Sequence, residues 1–453
     1  MSKVIKIRRG LNIPLIGEAE KILQTSPMSA EYAIRPPVFH GLMPKMLVDE
    51  GAPVKVGTPL FYDKYNEDVL FTSPVSGTYT QLVRGAKRRI LEVRIKPDGK
   101  NEHVDFGTEP LGSLSREQII AKLLKSGLWP GIRQRPYSVI ANHEENPRDI
   151  FISAFKTSPL APDMDFIVNG REAFFQAGLD VLGRLTDGDV HLSVQAGATT
   201  SKAYTEAKGV ELHAFSGPHP AGNIGVQIHH IKPINKGEVV WYLDVQDVIA
   251  IGTLFEKGIY DARKVVVFNG PEVLNPRYYK IINGAQLSSF TDNNIREEKD
   301  VTPRFISGDV LSGEKVERDG FVGHYDDQVV VIPEGDQPEL FGWLIPKTDK
   351  FSISRTFFSL KKKKKKYRHN TNIRSGDRPF VITGLYEKVL PMDIMPMQLI
   401  KSIMINDIDM MEKLGIYEVA PEDFALCEYV CPSKIEMQTI MREGLDVMRK
   451  EFA

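Results

Sequence analysis

Cysteine spacing offers the first hint of chemistry, in "CEYVCP", residues 427–432. Two cysteines with three residues between them and a proline after them form the last part of the bacterial ferredoxin run C-x2-C-x2-C-x3-C-P, whose thiolates hold an iron–sulfur cluster. Stepping back from Cys427, the two earlier thiolates would stand at Phe424 and Pro421, and neither residue ligates iron. Cys427 and Cys431 are the only cysteines among 453 residues, so one chain cannot supply an all-thiolate cluster site. A Rieske or zinc site would need histidines at ligand spacing, yet the last histidine is His369. A disulfide is the other alternative, but no secretory signal is recognisable and two cysteines make no framework. The expectation is two semi-buried thiols in a helical turn, with no metal.

Lys64 is the second candidate. "VDEGAPVKVGTPLFYDK" followed by "SPVSG" resembles the biotinyl/lipoyl barrel-sandwich family, in which a hairpin carries a modified lysine. That resemblance would make Lys64, after Asp63, a swinging-arm attachment site. The added residues "YNEDVL" are expected to lengthen the hairpin, which favours a structural barrel without cargo.

Nucleotide chemistry leaves less trace. No Gly-x-Gly-x-x-Gly string stands between a strand and a helix, so the backbone cradle for a pyrophosphate is missing. Gly222 and Gly225 in "HPAGNIGVQIHHI" are read as letting a helix start close to a neighbouring strand. His229 and His230, adjacent on that helix, project about 100° apart rather than onto one metal. With 58 Lys plus Arg against 59 Asp plus Glu, the net charge of −1 gives no global case for nucleic acid. No segment approaches the roughly 18 apolar residues that span a bilayer, so the chain is expected to be soluble or membrane-peripheral and intracellular.

These residues need elements to position them. Residues 1–112 are short β-type runs broken by Gly and Pro, an all-β barrel-sandwich region. From 113 to 260 the period changes. "SLSREQIIAKLLKSG" has a capping box at Ser115 and Gln118 and closes at Gly127, and "DIFISAF", "DVHLSV" and "VELHAF" read as buried strands alternating with helices. A Rossmann-like domain is predicted there. Residues 261–382 return to short strands and contain the run Lys361–Lys366, read as an exposed loop because six adjacent ammonium groups stay solvated. Residues 383–453 are helical and hold nine of the fourteen methionines, core or adaptable docking surface. The fold class is multidomain α/β and α+β.

"SGLWPGIRQRPYS", "SGPHPAGNIGVQIHHIKP", "VLNPRYYKIINGA", "GLYEKVLPMDI" and "FALCEYVCPSKIE" together resemble, in order and from about residue 4 to the C-terminus, the NqrA family, one of the subunits of the bacterial sodium-translocating NADH:quinone oxidoreductase. The resemblance implies a barrel-sandwich domain, a Rossmann-like domain related to the flavoprotein subunit of complex I, a ubiquitin-like SLBB domain and a helical tail. It also implies kinship with the RnfC component of the Rnf complex, whose tail carries complete four-cysteine motifs. Against that pattern Cys427 and Cys431 look vestigial.

On this resemblance the chain is a cofactor-free peripheral subunit on the cytoplasmic face of the bacterial inner membrane, partnered with the other subunits of the pump and above all its membrane subunits. FAD, FMN, riboflavin and iron–sulfur centres are expected in those partners, and ubiquinone or menaquinone is the substrate. The complex is the enzyme and the isolated chain is not expected to catalyse. A quinone head needs an apolar slot with donors aimed at its carbonyls. Phe39, His40 and Met43 in "PPVFHGLMPKM", and Arg135 and Tyr137 in "RQRPYS", are the quinone-proximal candidates. The alternatives are a flavin-dependent NADH dehydrogenase subunit and an acyl carrier through Lys64.

Overall fold

A computed structural model describes residues 4–336, 350–351, 353, 365–373, 376 and 378–452. Its largest sheet has seven strands in the order Ile5–Lys6, Glu211–Ser216, Val190–Gln195, Ile150–Ser153, Val240–Asp244, Arg133–Arg135 and Val139–Ile140. The first five run parallel, Arg133–Arg135 runs against them, and Val139–Ile140 runs against Arg133–Arg135. Ile150–Ser153 and Val190–Gln195 are near-continuous buried runs because both faces of a parallel sheet are covered. Along the chain, strands are added to one side of Ile150–Ser153 and then, with Val240–Asp244, to the other. The winding therefore reverses between these two strands, at the point where open α/β sheets form their crevice.

Helix Arg116–Ser126 forms as its spacing predicts. The Gln118 amide donates to Ser115 Oγ at 3.3 Å, the Ser115 amide donates to Gln118 Oε1 at 2.8 Å, and Gly127 closes the helix at φ 78°.

A second sheet of six strands runs Glu314–Val316, Pro303–Ser307, Gln328–Pro333, Arg263–Asn269, Arg277–Ile282 and Leu23–Thr25. A four-stranded and a three-stranded sheet make the barrel-sandwich, with Phe61 stacked on Phe71 at 4.6 Å inside. The helices Tyr386–Val389, Pro396–Met404, Ile408–Lys413, Ala425–Val430 and Met437–Phe452 enclose a separate core that includes Phe424, Cys427 and Met441. Among the described residues no helix is long and apolar enough to cross a membrane.

The opening residues differ from expectation. Residues 1–112 read as one all-β region, but Ile5–Lys6 joins the α/β sheet and Leu23–Thr25 joins the six-stranded sheet. Strands of two and three residues carry no period, so their partners are decided by tertiary pairing. The barrel hairpin also differs: Pro59–Asp63 turns through Lys64 and Tyr65 straight into Asn66–Thr72, with Asp63 paired to Asn66. "YNEDVL" is turn and strand rather than a longer loop. Asp63 Oδ1 accepts from the Tyr65 amide at 3.2 Å, an Asx-type turn that fixes the tip. Of the lysine run, Lys361–Lys364 lie outside the described residues, and Lys366 pairs with Glu18.

Candidate functional site

The crevice at the winding reversal is built by charged side chains. Strand Val240–Asp244 ends in Asp244, which caps helix Val245–Lys257 by accepting from the Gln246 amide at 3.1 Å. The loop after Ile150–Ser153 brings Lys156 between Asp244, at 2.7 Å, and Asp327 at the start of Gln328–Pro333. Burial disfavours the charge on Asp244, yet Lys156 holds its carboxyl below the usual range. Asp327 is the carboxyl that burial pushes upward, against the pull of Lys156. One turn into the helix, burial and the charge of Asp244 raise Asp247 to about 7.

A second cluster stands beside it. Arg135 has no exposed surface, and it donates from Nη1 to Asp423 Oδ2 at 2.8 Å and to the Glu418 carbonyl at 2.9 Å, and from Nη2 to Glu422 Oε1 at 2.8 Å. Gly225 leaves the room: a Cβ there would stand 2.4 Å from Arg135 Nη1 and from Asp423 Oδ2. His229 meets Glu418 Oε2 at 2.7 Å and the Asp393 amide at 3.1 Å, while His230 meets the Pro391 carbonyl at 2.9 Å. These contacts clamp the helical region onto the α/β sheet.

Between the clusters lies a cavity of about 370 Å³, walled by every part of the chain, from Val38 and His40 through Arg133, Tyr242 and Tyr325 to Arg442. A wider cleft of about 670 Å³ opens nearby, between the hairpin tip at Asp63–Val69 and the loop 141–145.

The five quinone-proximal candidates separate here. His40 and Tyr137 line the same wide cleft. Burial lowers the His40 pKa, assisted by Arg442, and raises that of Tyr137, so both rings are neutral donors near neutral pH. Arg135 does not line that cleft, and its terminal nitrogens are committed to acceptors in the tail. Phe39 is not in the wall of that cleft either, being 3% exposed and packed on Phe71, His324 and Tyr325 at centroid distances of 4.8, 5.0 and 5.5 Å. Met43 is 44% exposed and touches the hairpin through its backbone.

The cysteines are fully buried rather than semi-buried, at 0% and 1% exposure, and are free thiols. Cys431 Sγ shares a hydrogen bond with Tyr386 Oη at 3.2 Å, and burial pushes the Cys427 thiol upward. Phe424, in the place of a thiolate, is wholly buried in the same core. Among the described residues the one group with ligand atoms gathered for a metal is Asp149, Asp189 and His191. There Arg148 at 2.7 Å and Lys232 at 2.9 Å already neutralise Asp149.

Lys64 is exposed at the hairpin tip, with Nζ 5.7 Å from the Tyr65 ring centroid. The tip is anchored, since Asn66 Oδ1 meets His143 Nε2 at 3.0 Å.

Sequence reasoning missed Lys156, Asp244, Asp327, Glu422 and Asp423, which are far apart in the chain. It also missed Arg133, although "RQR" on a strand points Arg133 and Arg135 to one face.

Three family models match the chain: the NqrA N-terminal barrel-sandwich hybrid domain over residues 5–98, the NqrA second alpha/beta domain over 114–260, and the NQRA C-terminal domain, of SLBB type, over 265–318. The chain is 41% identical over 455 residues to the NqrA subunit of the Na(+)-translocating NADH-quinone reductase of Pasteurella multocida, covering 99% of this chain and all of that one. It is 39% identical over 452 residues to the same subunit of Neisseria meningitidis, again covering 99% of this chain and all of the relative. With the corresponding protein of Rhodopirellula baltica it shares 38% over 454 residues, 99% of this chain and 98% of that one.

Proposed function

The chain belongs to the NqrA family of the Na(+)-translocating NADH-quinone reductase, a subunit of a sodium-pumping oxidoreductase complex, and on that premise we propose that it holds no cofactor and supports quinone reduction and assembly from a peripheral position. The observation that carries this reading is the filling of the crevice. A nucleotide bound at a winding reversal sets its phosphates on the N-terminus of the following helix, where amides and the dipole favour negative charge. Here the carboxylate of Asp244 occupies that N-terminus, Asp247 follows in the first turn, and Asp327 stands across it. A pyrophosphate at that helix end would have to displace the Asp244 carboxylate, which already accepts from its amide. The same filling disfavours the flavin-dependent dehydrogenase alternative.

FAD, FMN, riboflavin and iron–sulfur centres accordingly belong to partner subunits, with the membrane subunits as the docking partners and the cytoplasmic face of the membrane as the location. The cysteine pair fits a remnant of the four-cysteine motif of RnfC, with Phe424 and Pro421 in place of thiolates. Quinone, ubiquinone or menaquinone, is placed at the wide cleft, where His40 and Tyr137 offer neutral donors. Lys64 carries no acyl group in this reading, because its hairpin tip is tied to the loop 141–145.

The test uses the purified complex with His40→Ala and Tyr137→Phe. Each is expected to raise the KM for quinone several-fold while NADH:ferricyanide activity stays unchanged. An unchanged quinone KM in both variants removes the quinone from this cleft. The isolated chain should be colourless, and flavin in it, with NADH-dependent ferricyanide reduction, would reject the cofactor-free reading.

A further inference from the structure

We propose that the 370 Å³ cavity is an oxyanion site in which Arg133 receives a carboxylate or phosphate group, carried by a small organic anion or by a side chain or terminus of a partner subunit. The guanidinium of Arg133 lies between two aromatic rings, 4.6 Å from the centroid of Tyr242 and 4.3 Å from that of Tyr325. Two rings against the guanidinium hold it in place, and its N–H groups form the fork that matches a planar oxyanion.

That fork is empty-handed. Among the described residues the Arg133 side chain makes no ion pair and no hydrogen bond; Nε is buried without a partner, and the residue lines the cavity wall. Arg133 is half-buried rather than sealed off, so an anion entering the cavity can reach its guanidinium.

The carboxylates lining the cavity are engaged elsewhere. Asp244 and Asp327 flank Lys156, and Glu422 is held by Arg135. Asp309 accepts from the Leu311 and Ser312 amides and from Ser312 Oγ, and Asp326 accepts from Ser307 Oγ. Glu422 and Asp247 are close enough for their charges to act on Arg133, but neither contacts it. Each of the two clusters also has a carboxyl that burial pushes toward its proton, Asp327 in one and Asp423 in the other, which softens the negative charge around the site. Arg442, which also lines the cavity, leaves Nη1 buried and unpartnered, a second donor beyond its pair with Asp446 at 3.0 Å. The Tyr242 hydroxyl is tied to Ser138 at 2.6 Å and that of Tyr325 to the Pro130 carbonyl at 2.7 Å, so the rings that hold Arg133 are themselves fixed. The cavity shares the wall residues His40, Val139 and Ile140 with the quinone cleft, but Arg133 lines only the cavity and Tyr137 only the cleft.

The probes are inorganic phosphate and succinate, titrated calorimetrically into the full chain at ionic strength matched with NaCl. Binding by the unaltered chain of at least one anion is expected, with loss of about tenfold or more in affinity in Arg133→Gln. Arg133→Lys, which keeps the charge without the fork, should fall between them. Arg133→Gln is compared only with its own NaCl baseline, so lost stability is not mistaken for lost binding. Phenylglyoxal labelling of Arg133, read by peptide mass, distinguishes the sources. Protection in the assembled complex without added anion assigns the group to a partner subunit; protection only on adding phosphate or succinate assigns it to a free anion. Equal affinity in Arg133→Gln, or no anion binding by the chain together with no protection of Arg133 in the complex, overturns the proposal.

Discussion

The crevice between Ile150–Ser153 and Val240–Asp244 and the core around Cys427 and Cys431 are closed by opposite chemistry. The crevice is filled with charge: Lys156 between two aspartates, Arg135 between Glu422 and Asp423. The cysteine core is filled with apolar volume, Phe424, Leu426, Met437 and Met441 packing around both thiols. A polar closure depends on every partner being present, whereas an apolar closure tolerates volume-conserving change. The charged closure also leaves a cavity, whereas the thiols of the apolar one are buried.

Breaking the charged closure should have the largest effect. Arg135→Ala strands Asp423 and Glu422 in the interface, and removal of one partner from a buried pair costs about 3–5 kcal/mol. Unfolding by denaturant should show that loss, and the helical region should become the first target of limited proteolysis because the clamp at Glu418–Asp423 is gone. A loss below about 1 kcal/mol would mean that the apolar contacts alone hold the tail, and the contrast between the two closures would fail.

A smaller effect, in pH, belongs to Asp247. Its folded pKa of about 7 lies above its unfolded value, because burial and the neighbouring Asp244 disfavour the charge. Folding therefore retains its proton. Stability from this group is intact below the ordinary carboxylate range and is lost as the pH rises toward 7. Asp247→Asn should match the unaltered chain near pH 4 and exceed it by about 1–3 kcal/mol at pH 8. Equal pH profiles of melting temperature would show that Asp247 titrates as a solvated carboxylate.

Local signals made half of this legible. The capping box at Ser115, the glycine stop at Gly127 and the alternation of buried strands with helices all act over a few residues, and those elements form as the sequence predicts. The crevice was hidden because its pairs join residues 88 to 288 positions apart, such as Lys156 with Asp244 and Arg135 with Asp423. Arg135 illustrates the limit. Its residue type suggested a donor to a ligand, and only the position of the tail turns it into a clamp. The absence of earlier thiolates at Pro421 and Phe424 was legible without any structure, because ligand counting needs composition alone.

The smallest effect is expected from the cysteines. Both thiols are buried, and Cys431 already shares a hydrogen bond with Tyr386 Oη at 3.2 Å, which a serine hydroxyl can replace. Cys427 has only a long contact from Sγ to the Tyr386 carbonyl at 3.9 Å, so a hydroxyl there is less well satisfied. Cys431→Ser should cost under about 1 kcal/mol and Cys427→Ser about 1–2 kcal/mol, the difference being the desolvation of a hydroxyl with a poor acceptor. Because burial also pushes the Cys427 thiol upward, it is protonated at neutral pH and presents no thiolate to iron. The double variant should assemble into the complex, keep its iron and acid-labile sulfide content, and turn over within a few-fold of the unaltered enzyme. A complex that loses iron, or loses activity while the variant chain remains folded, would make the pair a ligand set shared with a partner and would end the reading of this core as an apolar closure.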